Sequence, residues 1–312
     1  MLAFIAPSPS IDVTYVVDGF LAGRTHRPLS VHRHAGGKSL NAARSAAAMG
    51  ADAEAVAVLG GHSGEFIAEQ LPREGVGLRA IRGSLETRTC ISIASTDGGN
   101  LTEVYEQATP VSAGEWESVL TAVHALLPLR PGWMAASGSL PASLDPAALA
   151  DLARACAEWD VPFVVDSHGV ALAEAVEAHP ALVKVNRAEA LELLGTAGRP
   201  AARIDTRELA AGIQVKSTGL VVVTDGMEGA VATDGERSWR IPPPDRPGAF
   251  PVGSGDAFLG GLLAALDAGF DFPEALKRAS GSSIANALQP GAGVFDRDTA
   301  LDIAADIRLV DC

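Results

Sequence analysis

Pro251-Val252-Gly253-Ser254-Gly255-Asp256-Ala257-Phe258-Leu259-Gly260-Gly261 is a run of small residues that breaks into an apolar helix pattern reaching Ala268. Glycines ahead of a helix start leave backbone N–H groups uncovered, and the helix N-terminus adds positive potential. The turn Gly253-Ser254-Gly255 is therefore a concave anion site, suited to a phosphate. Asp256 falls in the first helical turn, where a carboxylate repels a phosphate unless it has work to do. Two readings are open for it. It is a favourable early-helix acid, or it is the base that takes a proton from a hydroxyl attacking that phosphate.

Upstream, short apolar runs alternate with helical patterns. Strands are expected over Leu2–Ala6, Ala55–Leu59, Gly132–Ala136, Pro162–Val165, Leu182–Val185 and Leu220–Thr224. Helical patterns fall at Ser39–Met49, Gly64–Arg73, Ala113–Leu126, Pro146–Glu158, Arg187–Leu194 and Thr206–Lys216. Continuously apolar strands with helices between them predict an α/β fold, a doubly wound and mostly parallel sheet covered on both faces. Ligands of such sheets bind outside the carboxyl ends of the strands. Two segments interrupt the alternation, Asp12–His34 and Thr87–Gln107, and both have β character. Thr87-Arg88-Thr89-Cys90-Ile91-Ser92-Ile93-Ala94 alternates polar and apolar before Asp97-Gly98-Gly99-Asn100, a hairpin signal. Residues 12–34 and 87–107 can pair into a small second sheet that serves as a lid, or they can be surface decoration. No repeat or linker divides the chain, so 1–312 reads as one domain, with Pro242–Pro247 a stiff loop leading into the Gly253 turn.

Composition narrows the function classes. Hydrophobic residues make up 47% of the 312 and charged residues 20%, the profile of a well-cored soluble protein. No apolar run approaches the roughly 18 residues of a membrane span. Met1-Leu2-Ala3-Phe4-Ile5 lacks the basic flank and long apolar core of a signal peptide and reads as a buried strand. Cys90, Cys156 and Cys312 are too scattered for a disulfide framework or a zinc site, which fits a reducing cytoplasm. A formal charge of −14 argues against nucleic acid or an anionic membrane as partner. It also means that any phosphate site needs its own local cations.

Such a local bias exists. From Gly19 to Lys38 the chain carries Arg24, Arg27, Arg33 and Lys38 and no acid. The segment His34-Ala35-Gly36-Gly37-Lys38-Ser39-Leu40-Asn41-Ala42-Ala43-Arg44 is a second glycine turn feeding a helix. It has neither Walker spacing nor the third glycine of a dinucleotide fingerprint, which excludes a P-loop and disfavours a dehydrogenase. Gly36 and Gly37 allow close approach of backbone to a ligand, and Lys38 and Asn41 present donors to it. Lys38 is the first candidate to cradle an anionic substrate. Val183-Lys184-Val185-Asn186-Arg187-Ala188-Glu189 ends a strand and starts a helix. Asn186 and Glu189 form a capping-box pattern, and at the carboxyl edge of a sheet the same pair can hold magnesium through its waters. Val221-Val222-Val223-Thr224-Asp225-Gly226-Met227-Glu228-Gly229-Ala230 ends a buried strand in a turn suited to polyphosphate contacts.

Taken in this order and spacing, the motifs resemble the ribokinase-like carbohydrate kinases of the phosphofructokinase B family along nearly the whole chain. The matches are Ser8-Pro9-Ser10-Ile11-Asp12, Gly36-Gly37-Lys38 with Asn41, Thr87-Arg88, Gly138-Ser139-Leu140-Pro141, Lys184 with Asn186 and Glu189, Thr224 with Gly226 and Gly229, and Gly253-Ser254-Gly255-Asp256. The resemblance implies phosphoryl transfer from ATP to a sugar. Asp256 would be the base, and the Gly253, Ser254 and Gly255 amides an anion hole. Asp12, Gly36, Gly37, Asn41 and Ser139 would face the sugar. Asn186 and Glu189 would organise Mg²⁺. Lys184, Thr224, Asp225, Gly226 and Gly229 would approach the ATP phosphates, and Asn286 would lie by the adenine. The excursions correspond to that family's lid, which can double as a homodimer clasp.

Several positions depart from the family pattern. Ser8-Pro9-Ser10 stands where Asn-Pro-Ala is usual, Ser39 where glycine is usual, and Val185 where a proline is usual. Pro251-Val252 and Ser254 replace the usual residues around the final turn, which bears on any monovalent cation such as K⁺ nearby. None of these changes deletes a catalytic group. Lys38 and Arg88 match the branch that acts on sugars already carrying a phosphate, because Arg offers phosphate a bidentate fork and Lys a point charge. Glu103 resembles an element of the same branch. The resemblance points to fructose-1-phosphate as acceptor, then tagatose-6-phosphate or fructose-6-phosphate. A neutral sugar, a nucleoside and a non-catalytic ligand-binding role are the alternatives.

Overall fold

Strand β1 (Leu2–Ala6) leads into β2 (Ser10–Val17) and β3 (Ser30–Gly36), then helix α1 (Lys38–Ala48), β4 (Ala53–Leu59), α2 (Gly61–Arg73) and β5 (Val76–Arg82). This order comes from a computed structural model that describes residues 1–97, 101–195, 204–245 and 248–312. A second excursion, β6 (Thr89–Ser95) and β7 (Thr102–Tyr105), precedes α3 (Ala113–Leu126), β8 (Trp133–Ser137), α4 (Ala148–Ala157) and β9 (Phe163–Asp166). The alternation continues through α5 (Gly169–Glu177), β10 (Leu182–Asn186), α6 (Arg187–Leu193), α7 (Thr206–Ser217) and β11 (Leu220–Thr224). Then come β12 (Ala230–Thr233), β13 (Ser238–Ile241), α8 (Ser254–Asp267), α9 (Phe272–Asn286), α10 (Arg297–Asp306) and β14 (Val310–Asp311).

The main sheet runs β14-β13-β12-β11-β10-β9-β8-β1-β4-β5, parallel from β11 to β5 and antiparallel from β11 to β14. Every strand expected from the sequence lies in it. β5 and the antiparallel edge are additions. Side chains of a strand alternate between faces, so Leu2 and Phe4 enter one core, whereas Ala3 and Ile5 enter the other. Chain order reverses on the two sides of β1 and β8, which opens a crevice at their carboxyl ends.

The two excursions pair as expected. β2 joins β3 antiparallel and β6 parallel, and β6 joins β7 antiparallel, giving a separate sheet of order β3-β2-β6-β7. Residues 98–100 of the expected hairpin turn, and 246–247 of the proline-rich loop, lie outside the described residues. Among the described residues no helix is long and apolar enough to cross a membrane.

The serine at position 39 has a structural explanation. Its fully enclosed hydroxyl accepts from the Ser137 N–H at 2.8 Å and reaches the carbonyls of Ile5 and Ser137, tying α1 to both strands of the switch point. A glycine there would take these contacts away. Ser39→Ala is expected to lower unfolding stability by about 1–3 kcal/mol, the worth of two buried hydrogen bonds, as read by urea denaturation. Wild-type stability in that variant would show that the hydroxyl bears no strand-bridging role.

Candidate active site

Gly36 and Gly37 deliver the chain from the lid into α1, each for its own reason. A Cβ at Gly36 would overlap the carboxylate of Asp12 on the neighbouring strand. Gly37 adopts φ of 92°, where L side chains are strained, with its Cβ position 2.8 Å from the Ser8 carbonyl. Helix α1 then presents Lys38, Asn41 and Arg44 at intervals of three, which keeps neighbours on one face.

A cleft of about 710 Å³ lies over the carboxyl edge of the main sheet and beneath the lid. Gly253 caps α8 in the left-handed region (φ 78°), with its Cβ position 2.5 Å from Ala292. The Ser254 amide closes this turn on the Pro251 carbonyl at 3.1 Å, and the first intrahelical acceptor is Gly253 O, which takes the Ala257 amide. The Gly255 and Asp256 amides precede the first intrahelical donor, Ala257, and remain as donors for an anion. Of the three amides expected to form an anion hole, that of Ser254 is committed to the Pro251 carbonyl.

Asp256 is buried and accepts from Asn41 Nδ2 at 3.0 Å through Oδ2. The same Nδ2 donates to Asp12 Oδ2 at 3.2 Å, and Asp12 Oδ1 accepts from Ser10 at 2.7 Å. One amide thus links a carboxylate on the lid strand to one at the helix start. Burial pushes the Asp256 carboxyl up to about 7. Lys38 and Lys184 pull it down, Asp166 pushes it up, and the Asn41 bond pulls it down. A carboxylate poised there is matched to proton transfer at neutral pH.

Asp166, at the end of β9, is the site residue that the sequence did not announce. It is fully buried between two ammonium groups, Lys184 Nζ at 2.6 Å and Lys38 Nζ at 3.0 Å. Burial pushes its carboxyl up, and the two lysines outweigh that and hold it below the usual range. Lys38 also contacts Glu189 at 3.0 Å. Burial lowers the Lys38 pKa, and Asp166, Glu189 and Asp256 together raise it above the ordinary lysine value.

The family follows from a comparison with known proteins. A model described as pfkB family carbohydrate kinase matches residues 5–299. The chain belongs to that family. It is an ATP-dependent carbohydrate kinase. Tagatose-6-phosphate kinase from Staphylococcus epidermidis is 28% identical over 317 residues, covering 100% of each chain. A 1-phosphofructokinase from Rhodobacter capsulatus is 30% identical over 285 residues, covering 91% of this chain and 89% of its own. The crystal structure of phosphofructokinase-2 from Escherichia coli in complex with potassium superposes with a TM-score of 0.87 at 24% identity, covering 98% of both chains.

Most of the expected site residues of this kinase meet at the cleft. Asp12, Gly37, Lys38, Asn41, Arg88, Glu103, Ser139, Lys184, Asn186, Thr224, Gly226, Gly229 and Gly253 to Asp256 all line it. Others serve elsewhere. Gly36 makes room for Asp12. Asp225 lies off the wall and pairs with Arg187 at 3.5 Å, joining α6 to α7. Asn286 is fully buried behind the turn: its Nδ2 donates to Val252 O at 2.9 Å and its Oδ1 accepts from Gly293 N at 2.7 Å. It shapes the Gly253 turn, and Ser283, Ile284 and Ala287 of the same segment face the cleft instead. Lys38 lines the cleft, but its ammonium is already committed to two carboxylates. Among the described cations that line the cleft, the one without a carboxylate partner is Arg88, whose guanidinium donates to the carbonyls of Glu106 at 3.0 Å and Ser8 at 3.3 Å.

Asn186 and Glu189 form the expected reciprocal cap, with Asn186 Oδ1 accepting from the Glu189 amide at 2.9 Å and Glu189 Oε2 from the Asn186 amide at 2.8 Å. Among the described residues no group of three His, Cys, Asp or Glu side chains could hold a metal by itself. That donor set suits an ion that keeps most of its ligands as water and phosphate oxygens, as magnesium does.

Proposed function

We propose that the chain transfers the γ-phosphoryl group of ATP to a hydroxyl of a phosphorylated ketohexose, with fructose-1-phosphate as acceptor and fructose-1,6-bisphosphate as product. The observation that carries this reading is Arg88. In a chain of net charge −14, it places a cation on the lid side of the cleft whose guanidinium has, among the described residues, carbonyl oxygens as its partners. A neutral sugar has no use for such a charge, whereas a phosphate takes a guanidinium fork in two hydrogen bonds. The relatives named for tagatose-6-phosphate and 1-phosphofructokinase activity support the same class and make a 6-phosphorylated ketohexose the second reading.

The chemistry follows from the donors. Asp12 binds a sugar hydroxyl and, with Asn41, sets the acceptor oxygen near Asp256. Asp256 Oδ2 is held by Asn41, so Oδ1 takes the hydroxyl proton as the new O–P bond forms and the bond to the ADP oxygen breaks. The Gly255 and Asp256 amides and Lys38 stabilise the charge on the moving phosphoryl oxygens. Lys184, Thr224 and the Gly226–Gly229 turn hold the nucleotide phosphates. Magnesium near Asn186 and Glu189 would neutralise charge on the β- and γ-phosphates. A potassium ion near the Val252 turn, and a homodimer through the free edges of the lid sheet, belong to the same proposal.

An ATP-consumption screen against fructose-1-phosphate, tagatose-6-phosphate, fructose-6-phosphate, fructose, ribose and nucleosides tests the acceptor. Arg88→Ala is expected to raise KM for the phosphorylated acceptor by about tenfold to a hundredfold, the loss of hydrogen bonds to a charged group. The KM for any neutral sugar turned over should stay put. Preference for a neutral sugar, or equal loss on both classes, would remove the phosphate reading.

A further inference from the structure

The side chain of Arg44 plays no part in the chemistry above, yet it is buried beneath it, 5% exposed. Its guanidinium is used on every side. Nε donates to Glu74 Oε2 at 2.7 Å, one terminal nitrogen to Asn41 Oδ1 at 3.1 Å and Ala292 O at 2.7 Å, and the other to Ala35 O. Ala35 precedes the Gly36-Gly37 turn, and Ala292 packs on Gly253. One cation therefore touches the backbone beside both glycine turns and the amide between the two carboxylates.

The contact to Asn41 has a directional consequence. A guanidinium can only donate, so the Asn41 oxygen must face it. Both Nδ2 hydrogens then point the other way, one to Asp12 and one to Asp256. With the amide reversed, its oxygen would face two carboxylates and its NH₂ would face the N–H donors of one Arg44 terminal nitrogen. We propose that Arg44 is a positioning residue for phosphoryl transfer: by fixing which way the Asn41 amide faces, it holds the acceptor-binding Asp12 and the base Asp256 on a single donor. Glu74, which neutralises Arg44, is itself bracketed by His34 Nδ1 at 3.6 Å. Burial pushes the Glu74 carboxyl up, and the contacts from His34 and Arg44 outweigh that and hold it below the usual range. This inference rests on the base assignment for Asp256.

The test is a double-mutant cycle on the full chain, with ATP and the acceptor it turns over fastest in the screen above. Arg44→Lys keeps a cation for Glu74 but has no fork to span Asn41, Ala35 and Ala292. It is expected to lower kcat by about tenfold to a hundredfold, the range for losing a hydrogen bond to a charged group. KM for the acceptor should rise while KM for ATP stays within about twofold, since the nucleotide turn is not among the contacts of Arg44. The acid limb of kcat should move to higher pH, because the Asn41 bond is one of the contacts holding Asp256 down. Lys38, Asp166 and Lys184, the other charged groups facing Asp256, and Asp12 beyond Asn41, are intact in this variant.

In an Asn41→Ala background the same substitution should change kcat by less than about threefold, because a residue that acts through Asn41 has nothing left to position. Additive losses, or an acid limb that stays in place, would overturn the proposal and leave Arg44 a packing residue. If Arg44→Lys does not fold, Glu74→Gln loosens the guanidinium from outside the site and runs the same cycle with the same expected non-additivity. Asp256→Asn separates the two levels. Near-normal turnover in it removes the base and this inference together, whereas an inactive Asp256→Asn with additive Arg44 and Asn41 losses removes the positioning role alone.

Discussion

Asp256→Asn is expected to fold and to lose about 10²–10⁴-fold in kcat, the usual worth of a positioned general base. The amide is the same size, and its oxygen can still accept from Asn41 Nδ2, so the helix start and the anion-binding turn keep their shape. KM for ATP should therefore stay near the wild-type value. The substitution is also expected to cost no stability at pH 8. Burial raises the folded pKa of Asp256 from 3.8 to about 7, so the folded state holds more protons than the unfolded chain between those values. Stability then falls as pH rises through that window, and above it the ionised buried carboxylate is a net cost that asparagine removes. In wild type, kcat should decline below about pH 7 as the base is protonated. A variant with near-normal turnover, or a wild-type profile flat down to pH 5, would contradict the base assignment.

Much of this is legible in the sequence, for physical reasons that differ along the chain. The parallel strands announce themselves because both faces are buried, as in Leu220-Val221-Val222-Val223. β5 does not, since Val76-Gly77-Leu78-Arg79-Ala80-Ile81-Arg82 is an edge strand that is half exposed and carries two arginines. The Gly253 turn and the Gly36-Gly37 pair were readable because glycine marks backbone that no other residue can adopt or approach. Asp166 was not, although Phe163-Val164-Val165 ends on it. A lone acid after a strand has many uses, and only the three-dimensional approach of Lys38 and Lys184 makes it the hub of the site. The same limit misplaced the spare cation. Sequence showed that Lys38 and Arg88 carry charge, but not that two carboxylates 128 and 151 residues away from Lys38 had already claimed it.

Asp166→Asn is expected to lower unfolding stability by about 3–5 kcal/mol at neutral pH, the cost of removing one partner from a buried ion cluster. Asparagine keeps an acceptor oxygen for one lysine, sets an NH₂ donor against the other, and leaves both ammonium groups facing a neutral side chain. The lysines hold the Asp166 pKa below its unfolded value of 3.8, so the stabilisation it supplies is present above that value and fades only as pH falls through the folded pKa. The Asp166 share of the deficit should therefore be unchanged from pH 8 to pH 5 and fade only in stronger acid, while the lowered Asp256 pKa makes the total deficit smaller at pH 8 than at pH 5, as read by urea denaturation across that range. The kinetic signature has the opposite sense to that of Arg44→Lys. The Asp166 charge pushes the Asp256 carboxyl up, whereas Lys38 and Lys184 pull it down. With the charge gone, both lysines act on Asp256 unopposed, its pKa falls below about 7, and the acid limb of kcat moves to lower pH. A base with a lower pKa is weaker, so the plateau rate falls even as the active pH range widens. An acid limb that moves up, or does not move, would show that Asp166 and Asp256 are not coupled through the two lysines, and that the four charges do not act as one site.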